Sequence, residues 1–278
     1  MRKKIIIHGV TGIVILMLFG VFSSWSFAAP VTLRFGHTAG TVLNYTLTMD
    51  TPGAQSARNV SMTITQDVKS VDAQEVMEIT TSISNATMTV NGVPVPFTPQ
   101  GEILDSKITR KGEVKENTAK AQYKDIMTQA GFTTFTSVTK EPLRSLGVLE
   151  FPDDAKDVGD SWSITKSQDF PNGTSMSVTY TFTLEAFETV LGYNCAKIVI
   201  ASQPVISYYQ DFPNLRAGMY ANGTVKVAGV LYFAHAEGKV VKINDTIESN
   251  SIGTLINYDG GSTVIPFYQK TVVSLELQ

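Results

Sequence analysis

Alternation with a period of two constrains this chain more than any other feature. Between Met176 and Leu184, Val178, Tyr180, Phe182 and Leu184 fall on one side, and Thr179, Thr181 and Thr183 on the other. Val60, Met62, Ile64 and Val68 oppose Ser61, Thr63, Thr65 and Asp67. Val225, Val227, Leu231 and Phe233 share a face, and Val273, Leu275 and Leu277 alternate with Val272, Ser274 and Glu276. Successive side chains of a strand point to opposite faces, so each run is a strand with one buried and one wet face. That is the pattern of antiparallel sheet, and it makes the chain mainly β.

Turn residues punctuate the runs. Asn91-Gly92 is a two-residue hairpin signal between Thr87–Val90 and Val93–Val95, and Lys111-Gly112 is a weaker one. His235-Ala236-Glu237-Gly238 joins Val225–Ala234 to Lys239–Ile247, and Val71–Gln74 reverses the chain before Glu75–Ser84. One segment departs from the pattern. Ala119, Tyr123, Ile126, Met127 and Ala130 recur at helical spacing, with Asn117 or Thr118 to cap the start and Gly131 to end it. This predicts one central helix over about 118–130.

The helix divides the chain into a first sheet half, 29–116, a helix-containing connector, 117–150, and a second sheet half, 151–278. No long flexible linker lies beside either half, so 29–278 is expected to pack as one unit. Both halves run glycine, aromatic, loop, long strand, turn, long strand. Gly40 and Tyr45 begin the first; Gly159 and Trp162 begin the second. Duplication of one unit and chance likeness of two meanders both fit, and one sheet or two both remain open.

Residues 1–28 read as an address. Arg2, Lys3 and Lys4 precede an apolar run from Ile5 to Phe22, and Ser26-Phe27-Ala28 offers the small residues a signal peptidase requires. Cleavage is expected after Ala28. The run is also about long enough to span a bilayer, so an uncleaved N-terminal membrane anchor is the alternative. Loss of the three basic residues takes the net charge from −3 to −6 over the remaining 250 residues. That sign disfavours nucleic acid and anionic lipid surfaces as simple electrostatic partners. No later apolar run is long enough to form a stable span. A single cysteine, Cys195, excludes an internal disulfide framework, and it reads as a small buried hydrophobe or a reactive thiol.

The stretch Phe151-Pro152-Asp153-Asp154-Ala155-Lys156-Asp157-Val158-Gly159-Asp160-Ser161-Trp162 resembles a motif of a family of uncharacterised bacterial exported proteins. In that family a proline precedes a valine-glycine-aspartate-serine-tryptophan run. The hairpin Leu231–Lys242 is similar to theirs, and to hairpins of periplasmic lipoprotein-carrier-like proteins with a half-barrel sheet. The resemblance covers about 120–278. It implies a strongly curved antiparallel sheet and a periplasmic or extracellular location. It implies no catalytic residues. The motif also has a physical reading: Gly159-Asp160 makes a turn and Trp162 supplies a large apolar anchor.

Candidates for chemistry are few. His37 and His235 are the histidines beyond residue 28, and each reads as a ligand or base, or as an ordinary structural residue. Asp153, Asp154, Asp157 and Asp160 cluster without the spacing of a calcium loop. No nucleophile elbow, phosphate loop or dinucleotide fingerprint occurs. No metal site and no cofactor are therefore expected, and the chain is read as a non-enzyme. The better lead is aromatic. Tyr45, Trp162, Tyr180, Phe182, Tyr232 and Phe233 lie on or next to predicted strands. On an open curved sheet they would line a concave apolar face able to hold an apolar small molecule or lipid. A filled core is the alternative. Tyr208–Pro213 reads as a loop whose aromatics could form a contact surface. The expected function is an exported envelope protein that binds an apolar or lipidic ligand. The alternatives are a structural or protein-interaction module of the envelope and, more weakly, a hydrolase with an unrecognised site.

Overall fold

The structure is a computed structural model describing residues 29–53, 57–97, 100–120, 149–169, 175–203, 205–212, 217–257 and 259–278. Thirteen strands follow in chain order: β1 (Val42–Thr51), β2 (Arg58–Val71), β3 (Val76–Val90), β4 (Val93–Val95), β5 (Gly101–Thr109), β6 (Val114–Ala119), β7 (Ser161–Asp169), β8 (Ser175–Val190), β9 (Tyr193–Ser202), β10 (Val205–Phe212), β11 (Ala217–Ala234), β12 (Lys239–Asn257) and β13 (Ser262–Leu277). They form one antiparallel sheet in the order β6-β5-β3-β2-β1-β13-β12-β11-β9-β8-β7. β4 adds to β3, and β10 adds to β11 beyond the end of β9. The two parts of the chain meet where β1 pairs with β13, so there is one sheet.

The alternating runs set the register. Tyr45 lies opposite both Ile64 and Leu277, and Leu47 opposite Met62 and Leu275, all on one face. At the β3–β4 turn, Asn91 and Gly92 both take positive φ, 51° and 78°, as the two-residue hairpin requires. The opposite face is polar. Ser161, Ser163 and Thr165 of β7 share hydroxyl bonds of 2.8–3.2 Å with Thr183, Thr181 and Thr179 of β8. Lys242 and Glu276, directly paired across β12 and β13, form a 2.6 Å ion pair.

Two expectations need correction. The sheet is large and open, not the strongly curved half-barrel. Register breaks occur between other strands, but β12 and β13, in the middle of the sheet, hold one register from Lys242–Glu276 to Ile256–Ser262. Second, the proposed start of the helix belongs to a strand: Asn117 and Thr118 pair with Ser106 and Asp105 of β5. Cross-strand pairing there overrides local helical spacing. The remainder of the helix expectation, and residues 1–28, lie outside the described residues, among which there is no helix.

Two non-strand segments cover the apolar face at one end. Residues 31–37 insert Leu33 and Phe35, and residues 149–156 insert Leu149 and Phe151. The segments bridge each other through Val31 and Lys156. Their backbones also bond to the sheet's turns: Phe35 N to Arg110 O, Gly36 N to Gly238 O, and Phe151 N to Lys111 O, at 2.7–2.9 Å. Phe35, Phe151 and Phe233 form an aromatic triad with centroids 4.6–5.6 Å apart. One contiguous core results, reaching from Ile103 on β5 to Trp162 and Ile164 on β7. Each such fully buried large side chain contributes about 1.5–3 kcal/mol by leaving water.

Candidate functional site

The six aromatics named from the sequence fall into three groups. Tyr45 and Phe233 lie beneath the covering segments, 1% and 0% exposed. The Tyr45 hydroxyl donates to Val240 O at 3.3 Å. Trp162, Tyr180 and Phe182 form a second group near β7: the Trp162 and Phe182 rings stack at 5.4 Å, and Trp162 Nε1 donates to Glu150 O at 2.9 Å. Tyr232 lies on the other face, against Cys195, Ala234 and Val241. The register break between Tyr232 and Phe233 lets both faces bury side chains at this corner. Where the first group meets the cover, a cavity of about 20 Å³ remains, bounded by Phe35, His37, Tyr45, Gln66 and Val240. That volume suits one water molecule rather than an apolar ligand.

The titratable candidates are mostly absorbed by structure. His37 is buried in this cavity wall, and its pKa is lowered to about 4, first by burial and then by Lys239 and Arg110. His235 packs edge-on against Phe187 at 5.4 Å. Asp153 pairs with Lys111 at 2.9 Å, and Asp160 Oδ2 accepts from Asp157 N at 3.0 Å. Cys195 is fully buried, and burial raises its pKa, which disfavours the thiolate. Among the described residues, no three of His, Cys, Asp and Glu converge as metal ligands.

The other end of the sheet is different. β11, β12 and β13 run on past the core and carry β10 along β11. The segment around Tyr208, read as a loop, is strand β10, because Val205–Phe212 pairs with Ala217–Thr224 in unbroken register. In this distal ribbon the outer face carries an apolar strip along β13, beside Asn222, Asn250 and Thr254. Ile252, Val264 and Tyr268 are 55%, 64% and 69% exposed, and Pro266 lies opposite Ile252. Leu255 and Ile265 lie half-buried on the inner face.

Between core and ribbon, polar residues enter the inner face. Ser202, Thr271 and Thr51 lie in one row across the sheet with Arg58, Ile247 and Val227; Ser249 and Gln269 lie in the next with Val225; Ser251 lies beyond, between Phe267 and Gly223. Asp245 sits one row nearer the core. It is 6% exposed, and burial alone raises its pKa to about 7.

No family model matches this chain, and no curated protein matches it. Among solved structures, the chain is similar to one titled "Lipid-protein interactions in lipovitellin", at 11% identity and a TM-score of 0.43. The match covers 87% of this chain and 25% of that one, so this chain spans about a quarter of its length.

Sequence reasoning passed over both the ribbon and the polar rows. The signal was present. Val264-Ile265-Pro266-Phe267-Tyr268 is an apolar run in which alternation fails, and Ser249 and Ser251 occupy positions where the alternation calls for apolar residues. Alternation reports a strand with one wet face; its failure reports a strand whose two faces meet similar surroundings.

Proposed function

We propose that this is an exported, non-enzymatic protein of a bacterial cell envelope, and that the distal ribbon of its sheet binds an apolar or lipidic ligand. The observation that carries this is the change in the outer face. Over the core that face presents Thr46, Thr48, Thr63, Asn244 and Ser274; on the ribbon it presents Ile252, Val264, Pro266 and Tyr268. Val42 and Val272 are exposed singly over the core, whereas the ribbon's apolar residues adjoin one another, and such a strip marks a contact with something apolar. The basic and apolar leader supports export, and the motif opening β7 supports a bacterial envelope. The lack of a catalytic motif and the burial of His37 support a binding role.

Native mass spectrometry of the protein purified from its own envelope, with lipid extraction of the same sample, tests this reading. Bound lipid or another apolar small molecule is expected. A ligand-free protein that also fails to bind an apolar fluorophore overturns it. A second reading, an interaction module of the envelope, is favoured by the small cavity under the covering segments. It predicts that the apolar strip is buried by a partner protein, which crosslinking at Val264 and Tyr268 would capture instead of lipid.

A further inference from the structure

Buried polar atoms are nearly always hydrogen-bonded, and each exception calls for a reason. Along the inner face of β12, Asp245 Oδ1, Ser249 Oγ and Ser251 Oγ are all buried and lack partners. Their residues are 6%, 7% and 4% exposed. The neighbours in the same rows are satisfied: Thr51 and Thr271 share a 3.0 Å hydroxyl bond, Gln269 Nε2 donates to Thr271 Oγ1 at 3.4 Å, and Ser202 Oγ donates to Thr179 O at 2.8 Å.

The sheet is notched beside two of the three, while Ser249 lies opposite Val225. On β11, Gly229 lies opposite Asp245 and Gly223 opposite Ser251. A Cβ at Gly229 would come within 1.7 Å of Asp245 Oδ1, and one at Gly223 within 2.4 Å of the Ser251 Cβ. Both polar side chains thus lie in space that any other residue would fill. The rows join two apolar regions, the core around Val273 and Ile243 and the ribbon around Leu255 and Ile265.

Resting on the reading of the ribbon as the ligand-binding part, we propose that Ser249 and Ser251, with Gln269 beside them and Asp245 behind, hold the uncharged, hydroxyl-bearing head of an amphiphile whose chain lies along the ribbon's inner face, by Leu255 and Ile265. The chemistry of the rows selects this head. Ser249, Ser251, Gln269 and Asp245 supply hydroxyls, an amide and one acid; the cation of the rows, Arg58, lies on β2 with β1 and β13 between it and β12, so a carboxylate or phosphate head beside the serines finds no adjacent charge to neutralise it. A hydroxyl both donates and accepts, and so can complete a serine pair that has no other partner.

The test uses the purified chain, diphenylhexatriene as a headless apolar probe, and three competitors of equal chain length: monolauroylglycerol, laurate and dodecylammonium. Monolauroylglycerol is expected to displace the probe at concentrations about tenfold lower than either charged competitor. Ser249→Ala with Ser251→Ala should abolish that preference while probe binding and the melting temperature stay unchanged. Gln269→Leu, which leaves the notches intact, should weaken it partially. Probe binding without preference, or a preference the serine variants do not alter, overturns the proposal and leaves the rows as hydrated structure. Dodecylammonium as the best competitor overturns it in favour of an ionised Asp245. Failure to bind the probe at all is a distinct result: it removes the ribbon reading, and this proposal with it.

Discussion

β13 crosses two regions, and the same strand behaves differently in each. From Thr271 to Leu277 its inner residues pack in the core, and its outer residues are Ser274, Glu276 and a single exposed apolar side chain, Val272. From Ser262 to Lys270 it keeps the same partner, β12, in the same register, yet its outer face turns apolar and exposed. Backbone pairing is therefore indifferent to the change. What differs, among the described residues, is cover. The packed end has residues 31–37 and 149–156 laid over it, and its fold energy comes from burial. The ribbon has hydrogen-bonded strands whose outer apolar side chains have yet to leave water.

The comparison breaks most directly at Phe233. It is fully buried against Phe35 and Phe151. Phe233→Ala should cost about 3–5 kcal/mol, through lost transfer energy and the cavity left behind. Urea unfolding of wild type and variant checks it. A loss below about 1 kcal/mol would mean that the covering segments do not stabilise this end.

Acidity separates the regions next. His37, at the packed end, has its pKa lowered to about 4. Its neutral form is favoured by folding, so its contribution is complete above about pH 6.5 and is lost as pH falls toward 4. Asp245, where the ribbon begins, has its pKa raised to about 7. Its protonated form is favoured by folding, so its contribution is complete below about pH 4 and is lost as pH rises toward 7. Between pH 4 and 6.5 the two slopes oppose each other and nearly cancel, each amounting to roughly 3 kcal/mol. His37→Gln should expose a stability that falls with pH, and Asp245→Asn one that rises. Denaturant melts at pH 4, 5 and 6.5 read both signs; parallel slopes in the two variants would contradict the assignment.

The Gly229 notch gives a smaller effect, about 1–3 kcal/mol. Gly229→Ala should destabilise because its methyl meets the Asp245 carboxylate and the Asn244 carbonyl oxygen, and Asp245→Ala in the same chain should recover the part due to the carboxylate. If the double variant is as unstable as the sum of the singles, the strain lies in the backbone of β11 and not in this contact.

How much of this was readable beforehand follows from where one rule holds. Alternation found the inner residues of β2, β8 and the ends of β11 and β13, because those strands have one buried and one wet face. It also put Phe182 and Phe233 on that face. It could not show that residues 31–37 and 149–156 would cover them, since Leu33, Phe35, Leu149 and Phe151 reach the core from chain outside the strands, through contacts far apart in sequence. Local spacing misread Asn117 and Thr118 as a helix start, because the bonds that hold them come from β5. Near Tyr208 the pattern lacked a clean period, yet pairing with β11 makes a strand of it.

The smallest stability effect belongs to the ribbon, and it is the one that decides the comparison. Val264→Thr with Tyr268→Ser removes two of the most exposed apolar side chains and keeps strand propensity at the first position. Nothing buried is lost, so unfolding free energy should change by no more than about 0.5 kcal/mol. Diphenylhexatriene binding should fall by the share that the outer strip holds, leaving the share held on the inner face by Leu255 and Ile265. A clear loss of stability would show that these side chains are packed in solution, making the ribbon a continuation of the core. Unchanged stability with unchanged probe binding would move the apolar contact off the outer face, leaving the inner residues Leu255 and Ile265 as the surface that a ligand meets.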